Sequence, residues 1–201
     1  YGLRVVTVVL AVVAWFWSQS LIGSRGLKGG AITDGFHEPS APWHGYLMRN
    51  PRVANALLIV SSAFIDIFGI FLIAAGIFGP SLRPFVSLLI LFIFRQICQV
   101  VCALPAPKDM IWRNPGFPSL LVTYGTANDF FFSGHTAVAV LGAIEIAHLC
   151  PWWVGAVAGF VALLEAVVVV VLRAHYTMDI FGAAVAAWCA VGLGTWLCAW
   201  M

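Results

Sequence analysis

Residues 153–172 read WVGAVAGFVALLEAVVVVVL, and this stretch decides the fold. It carries a single charge, Glu165. A helix needs about 20 apolar residues to cross the hydrocarbon core of a bilayer, and the run has that length. Its valines Val167–Val171 favour strand by local propensity. They stand inside a full-length span, however, and length decides for helix. Backbone groups in lipid must be satisfied internally, and there is no period-2 alternation of the kind a membrane β-barrel needs.

Outward from this stretch the same pattern recurs at roughly 2–22, 53–78, 84–104, 134–150 and 176–199. The expected fold is an all-α membrane protein: a six-transmembrane-helix bundle forming a single domain over residues 1–201. The first run is read as a span rather than a signal peptide. The run 134–150 is short, which is tolerable if its mouth opens into a protein-lined cavity. The composition agrees. Charged residues make up 9% and hydrophobic residues 62% of the 201 residues, whereas a soluble domain carries about 25% charged residues. A soluble enzyme, a disordered tail and a nucleic-acid module are excluded, and a net charge of +2 offers no field for nucleic acid. The five cysteines lie in or beside apolar runs and read as packing residues.

Threading six spans puts the two long loops, 23–52 and 105–133, on one side of the membrane with the turn 173–175. One side is thus elaborated and the other bare. The tryptophans near span ends fit interfacial belts. Gly155 and Gly159 have small-xxx-small spacing, which serves close packing within the bundle or, more sharply, a homodimer.

Two strings on the elaborated side carry chemistry. The first is Asp129-Phe-Phe-Phe-Ser133-Gly134-His135-Thr136; the second is Arg173-Ala-His175-Tyr176-Thr177-Met-Asp179. The two histidines fall at the same depth. His175 and Asp179 are four apart, so on a helix they would share a face. The carboxylate would then hold one imidazole nitrogen and leave the other to attack, with His135 moving a proton. Arg173, with Lys108 and Arg113 nearby and the N–H of Gly134 at a helix start, suits a phosphate. Asp66, Arg95, Glu145 and Glu165 fall inside spans at depths of roughly 12–20 Å from that side. Intramembrane charges are functional suspects. They are expected to form one polar chamber beneath the histidines, either a buried ion network or a pocket for a quaternary ammonium. His37 and His44, in the first long loop, read as solvated. No cofactor and no metal is expected: no acidic magnesium-binding cluster is present, and haem would need a matching histidine on a neighbouring span.

The strings SGHT and HYTxD resemble the two histidine motifs of the type 2 phosphatidic acid phosphatase superfamily. The likeness is closest to its sphingomyelin-synthase-like branch, which includes plant phosphatidylcholine:diacylglycerol cholinephosphotransferases. Arg95, eight residues, then Leu104-Pro105-Ala106-Pro107 is similar to the string that precedes the first histidine in that branch. The chain departs from the lipid phosphatases proper. It has no KxxxxxxRP motif, Phe132 replaces the proline before SGH, and Val169 replaces an arginine six residues before the second histidine.

The resemblance implies His175 as nucleophile, Asp179 as its orienter, His135 as general acid and base, and Asp129 as the branch's acidic position. The remaining substrate-binding candidates are Arg95, Ser133, Gly134, Arg173, Tyr176, Glu145, Glu165 and Asp66. The expected activity moves a phospho-headgroup, phosphocholine or phosphoethanolamine, from a glycerophospholipid to a lipid alcohol, diacylglycerol or ceramide, through a phosphohistidine. The alternatives are a phosphatase or phospholipase C-type hydrolase on the same residues, and a non-catalytic lipid binder or transporter. The resemblance places the site on the lumenal or exoplasmic face. Arg25, Lys28, Arg49, Arg52, Lys108, Arg113 and Arg173 all lie on the elaborated side, which by the positive-inside rule would be cytoplasmic; part of that set is read instead as serving phosphate.

Overall fold

The computed structural model describes residues 2–23, 34–124 and 130–200. The regular elements among those residues are all helices: α1 Gly2–Gly23, α2 Ala41–Arg49, α3 Pro51–Phe78, α4 Arg83–Val101, α5 Gly134–Leu149, α6 Trp152–Val171 and α7 Thr177–Cys198. Each expected span has its helix. Five of them, α1, α3, α4, α6 and α7, are long and apolar enough to cross a membrane, while α5 has 16 residues. Large hydrophobic side chains are exposed along all five, including Leu10, Ile67, Ile97, Phe160 and Trp188. That exposure marks a multi-pass membrane protein whose outer surface meets lipid.

The sequence reading had no helix at α2. Pro42 occupies its first turn, where a missing N–H costs nothing, after Ser40, whose side chain makes no capping bond. It ends at Asn50 because Pro51 pushes the preceding residue out of the α region; Asn50 has φ −123° and ψ 74°. Likewise α4 stops at Val101, short of the expected 104, with Cys102 already extended ahead of Pro105.

Helix α5 stands in the middle, packed on α3, α4, α6 and α7. Its buried residues run around the whole helix, from His135 and Ala137 to Leu141, Glu145 and Ile146. Small side chains allow that crowding. At Gly155 of α6 a Cβ would come within 2.8 Å of the Ala147 Cα, so this glycine of the small-xxx-small pair serves packing inside the bundle.

The loop after α4 does not stay outside. Residues Ser119, Leu120 and Leu121 run beside the middle of α3, and Asp66 holds them there. Its carboxylate accepts from the Ser119 hydroxyl (3.0 Å) and from the Leu120 and Leu121 N–H groups (both 2.9 Å). Irregular backbone at membrane depth must have its polar groups satisfied by protein, and Asp66 does this. Ser62 and Tyr124 bond one another further up the same contact.

Candidate active site

The site forms where the two histidine strings meet. Ser133 caps α5: its Oγ accepts from the Thr136 N–H at 3.3 Å and from the Thr136 hydroxyl at 3.1 Å. His135 therefore lies in the first turn, buried, where unpaired N–H groups make a positive helix end. The second string hangs from the end of α6. Arg173 N–H bonds Val170 O and Ala174 N–H bonds Val169 O, both at 2.9 Å. This is the double closure of a Schellman turn, with Arg173 at φ +52° where glycine is usual. The arginine side chain is held there by the Lys108 carbonyl at 3.3 Å and by Asp109 at 3.7 Å.

His175 precedes α7 rather than lying on it, so the shared helix face expected for His175 and Asp179 does not form. Asp179 is at the third position of α7, and its Oδ2 accepts from the Tyr176 N–H at 3.0 Å. The His175 Nδ1 lies 2.9 Å from the carbonyl oxygen of Phe130 and 3.7 Å from Asp179 Oδ2. A carbonyl only accepts, so Nδ1 carries a proton, and in the neutral ring Nε2 keeps its lone pair. The Ser133 N–H also donates to the Asp179 carbonyl at 3.2 Å, a second bond between the strings.

His135, His175, Gly134 and Arg95 line one open cavity of about 50 Å³. Aromatic rings wall it: Trp15, Phe92, Trp112 and Phe130. Trp112 meets the His135 ring edge-on, with centroids 5.1 Å apart. His135 Nε2 is buried without a hydrogen-bond partner among the described residues. The buried Arg95 lies against the start of α5, where a Cβ on Gly134 would stand 3.3 Å from its Nε. A guanidinium beside a helix N-terminus makes a compact anion site.

The intramembrane charges do not share this chamber. Asp66 holds the inserted loop. Glu145, fully buried, pairs with Arg83 at 2.7 Å towards the opposite end of the bundle. Glu165 accepts from Ser61 at 2.5 Å and ties α6 to α3. Only Arg95 reaches the histidines' cavity. Arg173 is turned to the Lys108–Asp109 loop, and the Tyr176 hydroxyl donates to the Pro105 carbonyl at 3.1 Å. Asp129, Arg25 and Lys28 lie outside the described residues.

The first long loop contributes side chains that the sequence reading took as solvated or did not single out. Asp34 accepts from the Thr177 N–H at 2.6 Å and from its hydroxyl at 2.8 Å. Burial raises the Asp34 carboxyl, but the bonds from Thr177 and Phe36 and the nearby His37 outweigh it and hold the carboxyl below its usual value. His37 Nε2 donates to the His175 carbonyl at 3.1 Å, and its ring stacks on Tyr176. His44, buried on α2, donates from Nδ1 to the Val171 carbonyl at 2.9 Å. Three side chains of one segment thus clamp the turn that carries His175.

Fold and site together define a multi-pass helical membrane protein with two histidines opening one cavity beside a buried arginine. The chain belongs to the AtPDCT1/2 family, whose model matches residues 34–195. It is similar to phosphatidylcholine:diacylglycerol cholinephosphotransferase 1 of Arabidopsis thaliana, 23% identical over 135 residues, which are 67% of this chain and 43% of that relative. The match therefore spans less than half of the curated relative's length. No solved structure matches.

Proposed function

We propose that this chain is a lipid headgroup phosphotransferase, moving phosphocholine from a glycerophospholipid to a lipid alcohol such as diacylglycerol or ceramide. The observation that carries the reading is the His175 hydrogen bond to Phe130, which in the neutral ring reserves the Nε2 lone pair for attack, at a cavity shared with His135 and Arg95. Nε2 attacks phosphorus as the bond to the diacylglycerol oxygen breaks. His135 gives that oxygen its proton. Phosphorus is then bonded to Nε2, and the imidazole carries a positive charge that the buried Asp179 stabilises from 3.7 Å. A second lipid alcohol gives its proton back to His135 and takes the headgroup. Arg95 and the start of α5 hold the phosphoryl oxygens throughout.

Aromatic walls favour a quaternary ammonium by cation–π attraction, so phosphocholine is preferred to phosphoethanolamine. The expected carboxylates are not its partners, since Asp66, Glu145 and Glu165 are engaged elsewhere. All six bundle helices cross the bilayer in this reading, with the mouth of α5 inside the cavity and the site on the lumenal or exoplasmic face. The match to a cholinephosphotransferase supports the reading at the level of family.

The test is a reconstituted chain given headgroup-labelled phosphatidylcholine and excess diacylglycerol. Label should move into new lipid and disappear from that product in His175→Ala. Label released into water at the same rate with and without diacylglycerol would instead mark a hydrolase.

A further inference from the structure

A second space adjoins the cavity that holds the histidines. Trp15, Phe92 and Leu121 line both, and the second lies between α1 and α4, backed by the inserted loop. The walls of this second space, Ala11, Phe16, Leu88 and Leu89 among them, are all hydrocarbon. From Phe85 to Phe92 it follows α4 for about 10 Å. Its rim is open to the outside, with Val12 39% and Phe16 49% exposed.

Trp15 marks the junction. Its ring packs on Phe92 with centroids 5.6 Å apart. Its indole N–H is buried without a partner among the described residues. A turn further along α1, both amide atoms of the buried Gln19 are equally unmatched. A buried donor left unpaired is unfavourable, and a ligand acceptor would satisfy it. Three environments therefore follow one another: an arginine and helix end, a buried N–H, and a hydrocarbon groove. A diacylglycerophospholipid presents the matching parts in the same order, namely phosphate, ester carbonyl and acyl chain. Helix α1 also precedes the family-matched residues 34–195, so this side of the cavity is built by a segment outside that match.

We infer that the α1–α4 groove is the acyl-chain subsite of the lipid substrate, and that the Trp15 N–H donates to an ester carbonyl at its mouth. The choice of a glycerophospholipid rests on the proposed headgroup transfer. Entry is then lateral, from the bilayer between α1 and α4, and ester-linked lipids are distinguished from ether-linked ones by one hydrogen bond.

The experiment needs no turnover. The full chain in maltoside micelles is irradiated with diacyl phosphatidylcholine carrying a photoactivatable group on one chain, and the labelled residues are mapped by mass spectrometry. Labelling at Val12, Phe16 and Leu89 should saturate. Unlabelled diacyl phosphatidylcholine should compete about 3–10-fold more strongly than its dialkyl ether analogue, the fold-change of one lost hydrogen bond. Trp15→Phe, which removes the N–H, should erase that preference. Leu88→Trp, which fills the groove, should remove the saturable labelling. Labelling that rises without saturation and is equal at Phe160 on α6 would overturn the subsite. So would an ester preference unchanged in Trp15→Phe. Saturable groove labelling in a chain that transfers no headgroup would refute the proposed function and leave this subsite standing.

Discussion

The Nδ1–H of His175 donates a hydrogen bond to the main-chain carbonyl of Phe130 at 2.9 Å, while the Asp179 carboxylate stands 3.7 Å from the same nitrogen. Orientation and charge are thus divided between two groups. The carbonyl fixes the tautomer, and the carboxylate supplies the field.

That division sets the cost of losing the charge. In a triad whose carboxylate also holds the tautomer, Asp→Asn costs about 10⁴ in kcat. Here Asp179→Asn keeps an oxygen to accept from the Tyr176 N–H and leaves the Phe130 bond intact. The expected loss is about 10²-fold in kcat, with thermal unfolding in detergent within a few degrees of the parent. A loss near 10⁴ would show that Asp179 orients the ring.

Asp34 acts on the same turn from outside. Its carboxyl titrates below the usual 3.8, so the tether to Thr177 is in place above that pH and is lost as pH falls through the lower folded value. Asp34→Ala should cost about 1 kcal/mol, the worth of a helix cap. It should also raise hydrogen exchange at the start of α7 at neutral pH. Once the pH has fallen through that lower folded value, the exchange of parent and variant should converge; a difference that stays constant through the titration would contradict the tether.

Glu145 separates structure from function. Breaking a buried ion pair costs about 3–5 kcal/mol, and the partly exposed Arg83 puts Glu145→Gln at the low end of that range. The variant should unfold at lower temperature while KM for phospholipid stays within twofold. A raised KM at unchanged stability would return Glu145 to the substrate site.

Gly134 and Arg95 act together at the start of α5. Gly134→Ala would put a methyl group 3.3 Å from Arg95 Nε and make the guanidinium yield slightly. Transfer should fall about 10-fold in Gly134→Ala and about 10²–10³-fold in Arg95→Ala, the scale of one lost oxyanion contact. Equal, small effects in both variants would take the phosphate site away from α5.

Much of this was legible in the sequence. Length and polarity located six of the seven helices, all but α2, and the odd and even order of spans brought His135 and His175 to one end. Phe130 was not legible, because a main-chain acceptor has no side-chain signature. The scattering of Asp66, Glu145 and Glu165 was hidden for another reason. Counting residues along a helix gives depth but not direction around the axis, and charges at similar depth turned to different neighbours. Asp66 added a further difficulty, since its partners come from the loop 105–133, which threading of the spans placed on the elaborated side of the membrane. His37 and His44 looked like surface histidines because their acceptors, the carbonyls of His175 and Val171, lie 138 and 127 residues away.

The central claim is the covalent step at His175. The purified chain is incubated with headgroup-labelled phosphatidylcholine and no acceptor, quenched, digested under neutral conditions and analysed by mass spectrometry. The expected result is an acid-labile phosphocholine adduct on His175 that disappears when diacylglycerol is added and is absent from His175→Ala. Full transfer to diacylglycerol with no adduct on His175, or with the adduct on another residue, would contradict the account.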